Sequence, residues 1–419
     1  MTLPSDITSS SFDGLWADLQ PVGRDPRTDG YRRFAWTRED ATLREWFAGA
    51  AAARGLEVTA DRAGNQWAWW GDPDAVGPGI VVGSHLDSVP DGGAFDGPLG
   101  VIGAFAALDS LRAAGYVPSR PVGVVNFGDE EGARFGVACA GSRLLTGALA
   151  ADRALGLKDE DGVSMAEALR CFPGAKGDGS GGDPGAVGRD EEALRRVGVF
   201  VELHIEQGRE LCDVDRPVGV ASSIWAHGRW RFSLEGEANH AGTTRLADRC
   251  DPMLDLAAAI TRARELAGDH GVLATCGKVL VEPNGVNAVP SRVTGWLDAR
   301  GADPAAVRAM VADFDVGLVS GSPAGPSLVR TTLTEESWTD ATTFDTYLVA
   351  RLSALFDGAP VLATGAGHDA GILANAGVPA AMLFVRNPTG VSHSPAEHAS
   401  RDDCLHGVGA LAAVIRDLA

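Results

Sequence analysis

Five short segments of this chain carry residue types that bind metals or move protons. The first, "GSHLDSVPDGGAFDG" (83–97), holds His85, with Asp87 two residues on and Asp96 eleven on. The second is Asp129-Glu130-Glu131-Gly132, directly after the apolar run "PVGVVNFG". His204 lies in "ELHIEQG", His240 in "NHAGTT" and His393 in "SHSPAEH". Any one of them alone is an ordinary polar loop. Together they put imidazole and carboxylate groups at loop positions near strand ends, where open α/β sheets bind their ligands.

Mixed imidazole and carboxylate donors suit Zn²⁺ or Mn²⁺. A carboxylate such as Asp96 can bridge two cations, which two-metal hydrolases hold ~3.5–4 Å apart. Water bound to such a cation has its pKa lowered to about 7 and becomes a nucleophile at neutral pH. A free carboxylate beside it can take the proton and pass it to a leaving nitrogen. Two adjacent glutamates, Glu130 and Glu131, can divide this labour as base and ligand. Asp87 is spaced to accept a hydrogen bond from His85 and so fix its tautomer.

The elements that must position these groups are legible. "GIVVG" (79–83) and "PVGVVNFG" (121–128) read as buried Val-rich strands, and 97–115 between them as a helix ending at glycine. Strand–helix–strand is the unit of a mainly parallel sheet covered on both faces. Residues 37–54 read as a helix with Thr37 as N-cap. The Gly-rich segment 173–190 reads as a flexible surface insert. From about 217 the texture changes to half-exposed antiparallel strands, beginning with "GVASSIWAHGRWRFSLEG", and two amphipathic helices, 251–268 and 303–319. The expected organisation is therefore an α/β catalytic domain, 1–215 and 335–419, interrupted by a smaller α+β domain, 216–334.

With 419 residues, 45% apolar and 22% charged, the chain reads as globular. Its net charge of −20 disfavours nucleic acid and anionic membrane as partners. No window approaches the length of a membrane span, and the N-terminus has no signal-peptide pattern. The six cysteines are scattered without a CxxC pair, as expected of reduced thiols in the cytoplasm.

Beyond this, "GSHLDSVPDGGAFDGPLGV", "DEEGARFG", "ELHIEQG", "ANHAGTT", "NAVPSRV" with "LDAR", "GAGHDA" and "SHSPAEH" resemble, in order and over nearly the whole chain, a family of zinc-dependent amidases. These are the N-carbamoyl-L-amino acid hydrolases, allantoate amidohydrolases and β-ureidopropionases, relatives of dinuclear zinc aminoacylases and carboxypeptidases. The resemblance implies a zinc-aminopeptidase-like catalytic domain with a lid and dimerisation domain inserted in it. It implies that His85, Asp96 and His204 hold one metal and Asp96, Glu131 and His393 the other. Glu130 would be the general base, and Gln207 would contact the ureido end of the substrate. His240, Asn287 and Arg300 would reach the substrate on lid closure, His240 from the other subunit of a homodimer. Arg300 would grip a substrate carboxylate; His240 and Asn287 would stabilise the oxyanion. "GAGHDA" would line the pocket through Gly365 and Ala366 rather than through His368 and Asp369.

The expected activity is hydrolysis of the C–N bond of a terminal ureido group by metal-bound hydroxide. Allantoate is the first expectation and an N-carbamoyl-L-amino acid or β-ureidopropionate the second. A dipeptidase or aminoacylase is the more distant alternative, disfavoured because His204 stands where those relatives carry an acid. A non-catalytic binding protein is disfavoured by the complete ligand set and Glu130.

Overall fold

A computed structural model describes residues 5–172, 183–320 and 329–419. The chain divides into two compact units, residues 1–222 with 343–419, and 223–342. The division differs from the expected 216–334 at both ends for a physical reason. The "GVASSIWAHGRWRFSLEG" stretch is two strands, not one texture. Val218–Ile224 pairs antiparallel with Ala380–Val385 in the large sheet, whereas Ala226–Glu235 pairs with Arg292–Gly301 in the small one. At the far end, Arg330–Thr339 is bonded to Ala226–Glu235 and so stays with the small sheet.

The larger unit is built on a nine-stranded mixed sheet. At its centre four strands run parallel: Val122–Phe127, Gly79–His85, Val197–Ile205 and Ala380–Val385. Antiparallel strands flank them, with Gln66–Trp70 and Glu57–Ala60 on one side and Val218–Ile224 on the other. Every residue of Gly79–His85, Val122–Phe127 and Ala380–Val385 is buried. That is why these segments read as continuous apolar runs rather than alternating ones. Helices Pro98–Ala113 and Arg401–Leu418 pack together over the sheet, with Leu203 between them facing Gly103 and Gly407.

Local chemistry sets the helix ends. The Thr37 side chain accepts from the Asp40 amide at the start of Arg38–Ala53, and Ser400 accepts from the Asp403 amide at the start of Arg401–Leu418. An N-terminal helix, Ser5–Leu19, is an element the sequence reading leaves out. The buried Arg33 guanidinium donates to the Leu19 and Val22 carbonyls at its end. Of the Gly-rich 173–190 segment, 173–182 lies outside the described residues. The remainder is anchored: Arg62 donates to the carbonyls of Ala186 and Arg189, and Asp190 caps helix Glu191–Arg196.

The smaller unit is a four-stranded antiparallel sheet in the order Arg330–Thr339, Ala226–Glu235, Arg292–Gly301, Leu273–Glu282. Helices Pro252–His270 and Pro304–Ser320 cover it, and Phe232, Leu234, Leu256, Leu297, Met310 and Phe314 form its core. Strand Ala226–Glu235 alternates buried and more exposed positions, the pattern of a sheet with one covered face.

Candidate metal centre

The residues singled out in the larger unit converge at the carboxyl ends of its parallel strands. His85 ends Gly79–His85, and His204 is the penultimate residue of Val197–Ile205. Glu130 and Glu131 lie just past Val122–Phe127, and His393 follows Ala380–Val385. Asp96 returns to them because Gly97, at φ 83°, starts helix Pro98–Ala113 against the His85 ring. A Cβ on Gly97 would lie 2.4 Å from the ring, so a side chain there displaces the histidine.

Among the described residues three groups of donors lie close enough to hold a cation: His85, Asp96 and His204; Asp96, Glu131 and His393; and Glu202, His204 and His368. The first two triads share Asp96. Asp96 Oδ1 lies 3.1 Å from His204 Nε2 and 3.6 Å from His85 Nε2. Its Oδ2 lies 3.6 Å from His393 Nε2, which is 3.5 Å from Glu131 Oε2. Each Asp96 oxygen thus faces one triad, the geometry of a bridging carboxylate. The tautomers agree. His204 Nδ1 is 2.9 Å from the Ile205 carbonyl, and His85 Nδ1 is 3.2 Å from the Asp87 carbonyl. A carbonyl only accepts, so Nδ1 carries the proton and the Nε2 lone pair is free in both rings. Both Nε2 atoms and Glu131 Oε1 are buried with no hydrogen-bond partner. Buried donors left open in this way, on nitrogen and oxygen ligands, fit a pair of divalent cations.

Charge is concentrated here. Burial disfavours ionisation of Glu130 and Glu131, and neighbouring carboxylates add to it, so both carboxyls titrate well above the usual range. Burial also opposes charge on Asp96, but the His204 and His85 rings outweigh it and hold the carboxyl low. Despite burial, the surrounding carboxylates raise both histidines above the ordinary imidazole range, so the pocket favours positive charge at Nε2, whether a proton or a cation supplies it.

Supporting contacts differ in part from the sequence expectation. Asp87 does sit beside His85, its Oδ1 3.4 Å from Nδ1, but its carboxylate chiefly accepts from the amides of Glu130 and Glu131, at 3.1 and 3.0 Å. Asp87 therefore shapes the turn that presents both glutamates. Gln207 donates to Asp96 Oδ2 at 2.8 Å and to Ser392 Oγ at 3.0 Å, leaving its Oε1 without a partner. Asp91 pairs with Arg32 at 2.9 Å, an ordinary surface contact.

Several buried polar groups were not singled out. His368 is 3% exposed, its ring centroid 4.4 Å from that of His204, with neither nitrogen bonded. Asp369 accepts from Ser142 Oγ, and Glu202 accepts from Ser84 Oγ and the Ala370 amide. "GAGHDA" therefore also delivers two titratable side chains, His368 and Asp369, to the interior; Gly365 and Ala366 are half-buried, and the Ala366 amide bonds to Thr364 Oγ1. Cys139 Sγ lies 3.4 Å from Glu130 Oε1. Burial pushes the Glu397 carboxyl up to about 7. The signal that could have found them is position: His368 and Asp369 lie in "GAGHDA", Glu202 opens "ELHIEQG" and Glu397 lies in "SHSPAEH".

In the smaller unit, His240 lies opposite Ala288 in a short ribbon, and the Ala241 amide bonds to the Asn287 carbonyl at 3.0 Å. His240 is exposed, and its Nδ1 accepts from the Gly242 amide at 3.0 Å. Arg300, on strand Arg292–Gly301, bonds Asp298 through Nε and Nη2 at 2.8 and 2.7 Å. His240 and Asn287 are thus neighbours, and Arg300 stands on a different strand.

Comparison with known proteins identifies the family. A family model described as peptidase family M20/M25/M40 matches residues 81–417. The N-carbamoyl-L-amino acid amidohydrolase of Geobacillus stearothermophilus is 36% identical over 417 residues, 97% of this chain and 98% of its own. The allantoate amidohydrolase of Escherichia coli (strain K12) is 33% identical over 414 residues, 96% of each chain. The crystal structure of an amidase of the hydantoinase/carbamoylase family from Burkholderia vietnamiensis, 30% identical, matches with a TM-score of 0.85 over 99% of this chain and 97% of that one. With a family model matching most of its length and full-length relatives above 30% identity, the chain belongs to peptidase family M20/M25/M40 and stands among its amidohydrolases, hydrolases of C–N bonds in non-peptide amides.

Proposed function

We propose that this enzyme cleaves the C–N bond of a terminal ureido group on a small carboxylated substrate, using two divalent cations, Zn²⁺ or Mn²⁺. The observation that carries this is the pair of donor triads sharing Asp96, with open Nε2 lone pairs on His85 and His204. His85, Asp96 and His204 are assigned to one cation, and Asp96, Glu131 and His393 to the other. Cations there supply Lewis acidity toward the ureido carbonyl and lower the pKa of water toward neutrality.

Glu130 is assigned as general base. Its Oε2 is 3.7 Å from His85 Nε2, and it is buried among the donors without belonging to either triad. It takes a proton from the attacking water as the carbonyl carbon gains its new C–O bond, then returns it to the departing nitrogen as the C–N bond breaks. The products are ammonia and a carbamate that yields carbon dioxide and an amine. Gln207 is assigned to orient the ureido end through its free Oε1. Arg300 is assigned to the substrate carboxylate, and His240 and Asn287 to the developing oxyanion. Gly365 and Ala366 are assigned to the pocket wall.

Allantoate is the proposed substrate, in line with the E. coli relative. The Geobacillus relative, slightly more similar, supports an N-carbamoyl-L-amino acid as the second reading. Ammonia release from allantoate, ureidoglycolate, β-ureidopropionate and N-carbamoyl-L-amino acids, with Zn²⁺ or Mn²⁺ restored after chelation, separates them. No release from any ureido compound sinks the proposal.

We also assign a homodimer built through the smaller unit. Leu273–Glu282 is an edge strand of that sheet, and Val279 and Leu280 on it are exposed, as are Leu254 and Ile260 on helix Pro252–His270. A cytoplasmic setting is supported by six cysteines that are all unpaired. No helix among the described residues is long and apolar enough to cross a membrane.

A further inference from the structure

We propose that Glu397 is a positioning residue that keeps the two cation sites in register, by fixing the Asp96 backbone to the segment that carries His393. The inference rests on the two-cation reading above.

Glu397 is 4% exposed and is not a member of either triad. Its Oε1 accepts from two successive amides, those of Phe95 and Asp96, each at 3.0 Å. Two backbone donors on one carboxylate oxygen fix the peptide plane from which the Asp96 side chain departs. Gly93 makes the approach possible: a Cβ there would lie 2.4 Å from Glu397 Oε1 and 2.6 Å from its Cβ. The other end of Asp96 is held from the same side. Ser392, next to His393, has its Oγ 3.4 Å from Asp96 Oδ2, and Gln207 joins both at 2.8 and 3.0 Å.

The segment behind Glu397 is itself built to hold a shape. The buried Asn387 side chain donates to the Glu206 and Val391 carbonyls and accepts from the amides of Thr389 and Gly390. The Glu397 amide bonds to the Ser394 carbonyl at 3.0 Å, closing a turn directly after His393, which adopts φ 55°. His393 is 53% exposed, so packing does not immobilise its ring.

The two triads therefore depend on Glu397 unequally. His85 and His204 are fixed by the ladder of the parallel sheet, paired with Phe127 and Phe384. Two of the three donors in the other triad, Asp96 and His393, sit on the loops that Glu397 ties together. Loss of the tie reaches one donor of the first triad, the shared Asp96, and two of the second, so it falls more heavily on the second site. Contacts that orient ligands from behind typically contribute roughly 10–100-fold in metal affinity.

The test is Zn²⁺ stoichiometry by elemental analysis and stepwise affinity by titration against a chromophoric chelator. It compares the wild-type chain with Glu397→Ala, Glu397→Gln and, as a benchmark, His393→Ala. The wild-type chain is expected to hold two Zn²⁺. Glu397→Ala is expected to resemble His393→Ala, keeping the tighter Zn²⁺ and binding the second roughly 10–100-fold more weakly. Glu397→Gln retains an acceptor oxygen and is expected to keep both. Gly93→Ala, which pushes the glutamate away without removing it, is expected to reproduce the selective loss and decides the matter if Glu397→Ala does not fold. Unchanged binding of both ions in Glu397→Ala or Gly93→Ala overturns the proposal, as does equal weakening by Glu397→Gln. A wild-type chain that binds no Zn²⁺ overturns the two-cation reading instead.

Discussion

At the scale of single residues, the division of labour between Glu130 and Glu131 is the sharpest commitment. Asp87 holds both amides within one carboxylate, so the two side chains leave a common turn in different directions. Only Glu131 joins a donor triad. Glu130→Gln keeps the size of the side chain and removes its basicity. It is expected to lower kcat by roughly 10²–10⁴-fold while elemental analysis still finds the wild-type metal content. Near wild-type turnover removes the base assignment. Arg300→Ala is expected to raise KM for carboxylated substrates by about 10–100-fold, the size of one charge-assisted bond of roughly 1.5–3 kcal/mol. A substrate analogue without the carboxylate is expected to show no such change. The Asp298 pairing makes Arg300 a group already oriented by a neighbour, so its stability contribution is expected to be small.

Elements set how well those residues are held. His204 is rigid because Val197–Ile205 lies between parallel neighbours on both edges, and because Leu203 beside it fills the space under helices Pro98–Ala113 and Arg401–Leu418. Leu203→Ala is expected to destabilise the larger unit by ~2–5 kcal/mol in denaturant titrations, the cost of a buried leucine cavity. A change below about 1 kcal/mol would show that the helices close over the gap. The turn between His85 and Asp96 depends on Gly97 in another way. Its positive φ and the adjacent ring leave no space for a methyl group. Gly97→Ala is expected to reduce metal content as well as stability, because relief of the clash moves His85.

At the scale of the whole molecule, the open question is the surface the smaller unit presents. Leu280, 54% exposed, lies on an edge strand, whose outer backbone groups have no strand neighbour among the described residues, and this is the surface to which the proposed dimer is assigned. The proposed dimer is checked by sedimentation velocity. The wild-type chain is expected to run as a dimer and Leu280→Arg as a monomer. A monomeric wild-type chain at micromolar concentration sinks the assignment.

The sequence alone determined several central elements and the candidate donors beside them. Short Val-rich runs bounded by glycine read as central strands, and His85, His204, Glu130 and Glu131, at or just past the ends of such strands, are carried to one end of the sheet by its parallel topology. On those grounds His85, Asp96, Glu130, Glu131, His204 and His393 are candidates from the sequence, while their division into two ligand sets and a base comes from the family resemblance. Tertiary structure decided what depends on approach between distant segments. "GVASSIWAHGRWRFSLEG" splits between two sheets because its halves find different partners, and no local pattern marks the change at residue 225. Asp87 turned out to hold Glu130 and Glu131, and Gln207 to hold Asp96, contacts across 43, 44 and 111 residues. His368, Asp369, Glu202 and Glu397 lie inside quoted motifs, but their contacts become visible only when the fold removes water from around them. A buried polar group acquires its role from the partners that replace water, and those partners are chosen by the fold, not by the neighbours in sequence.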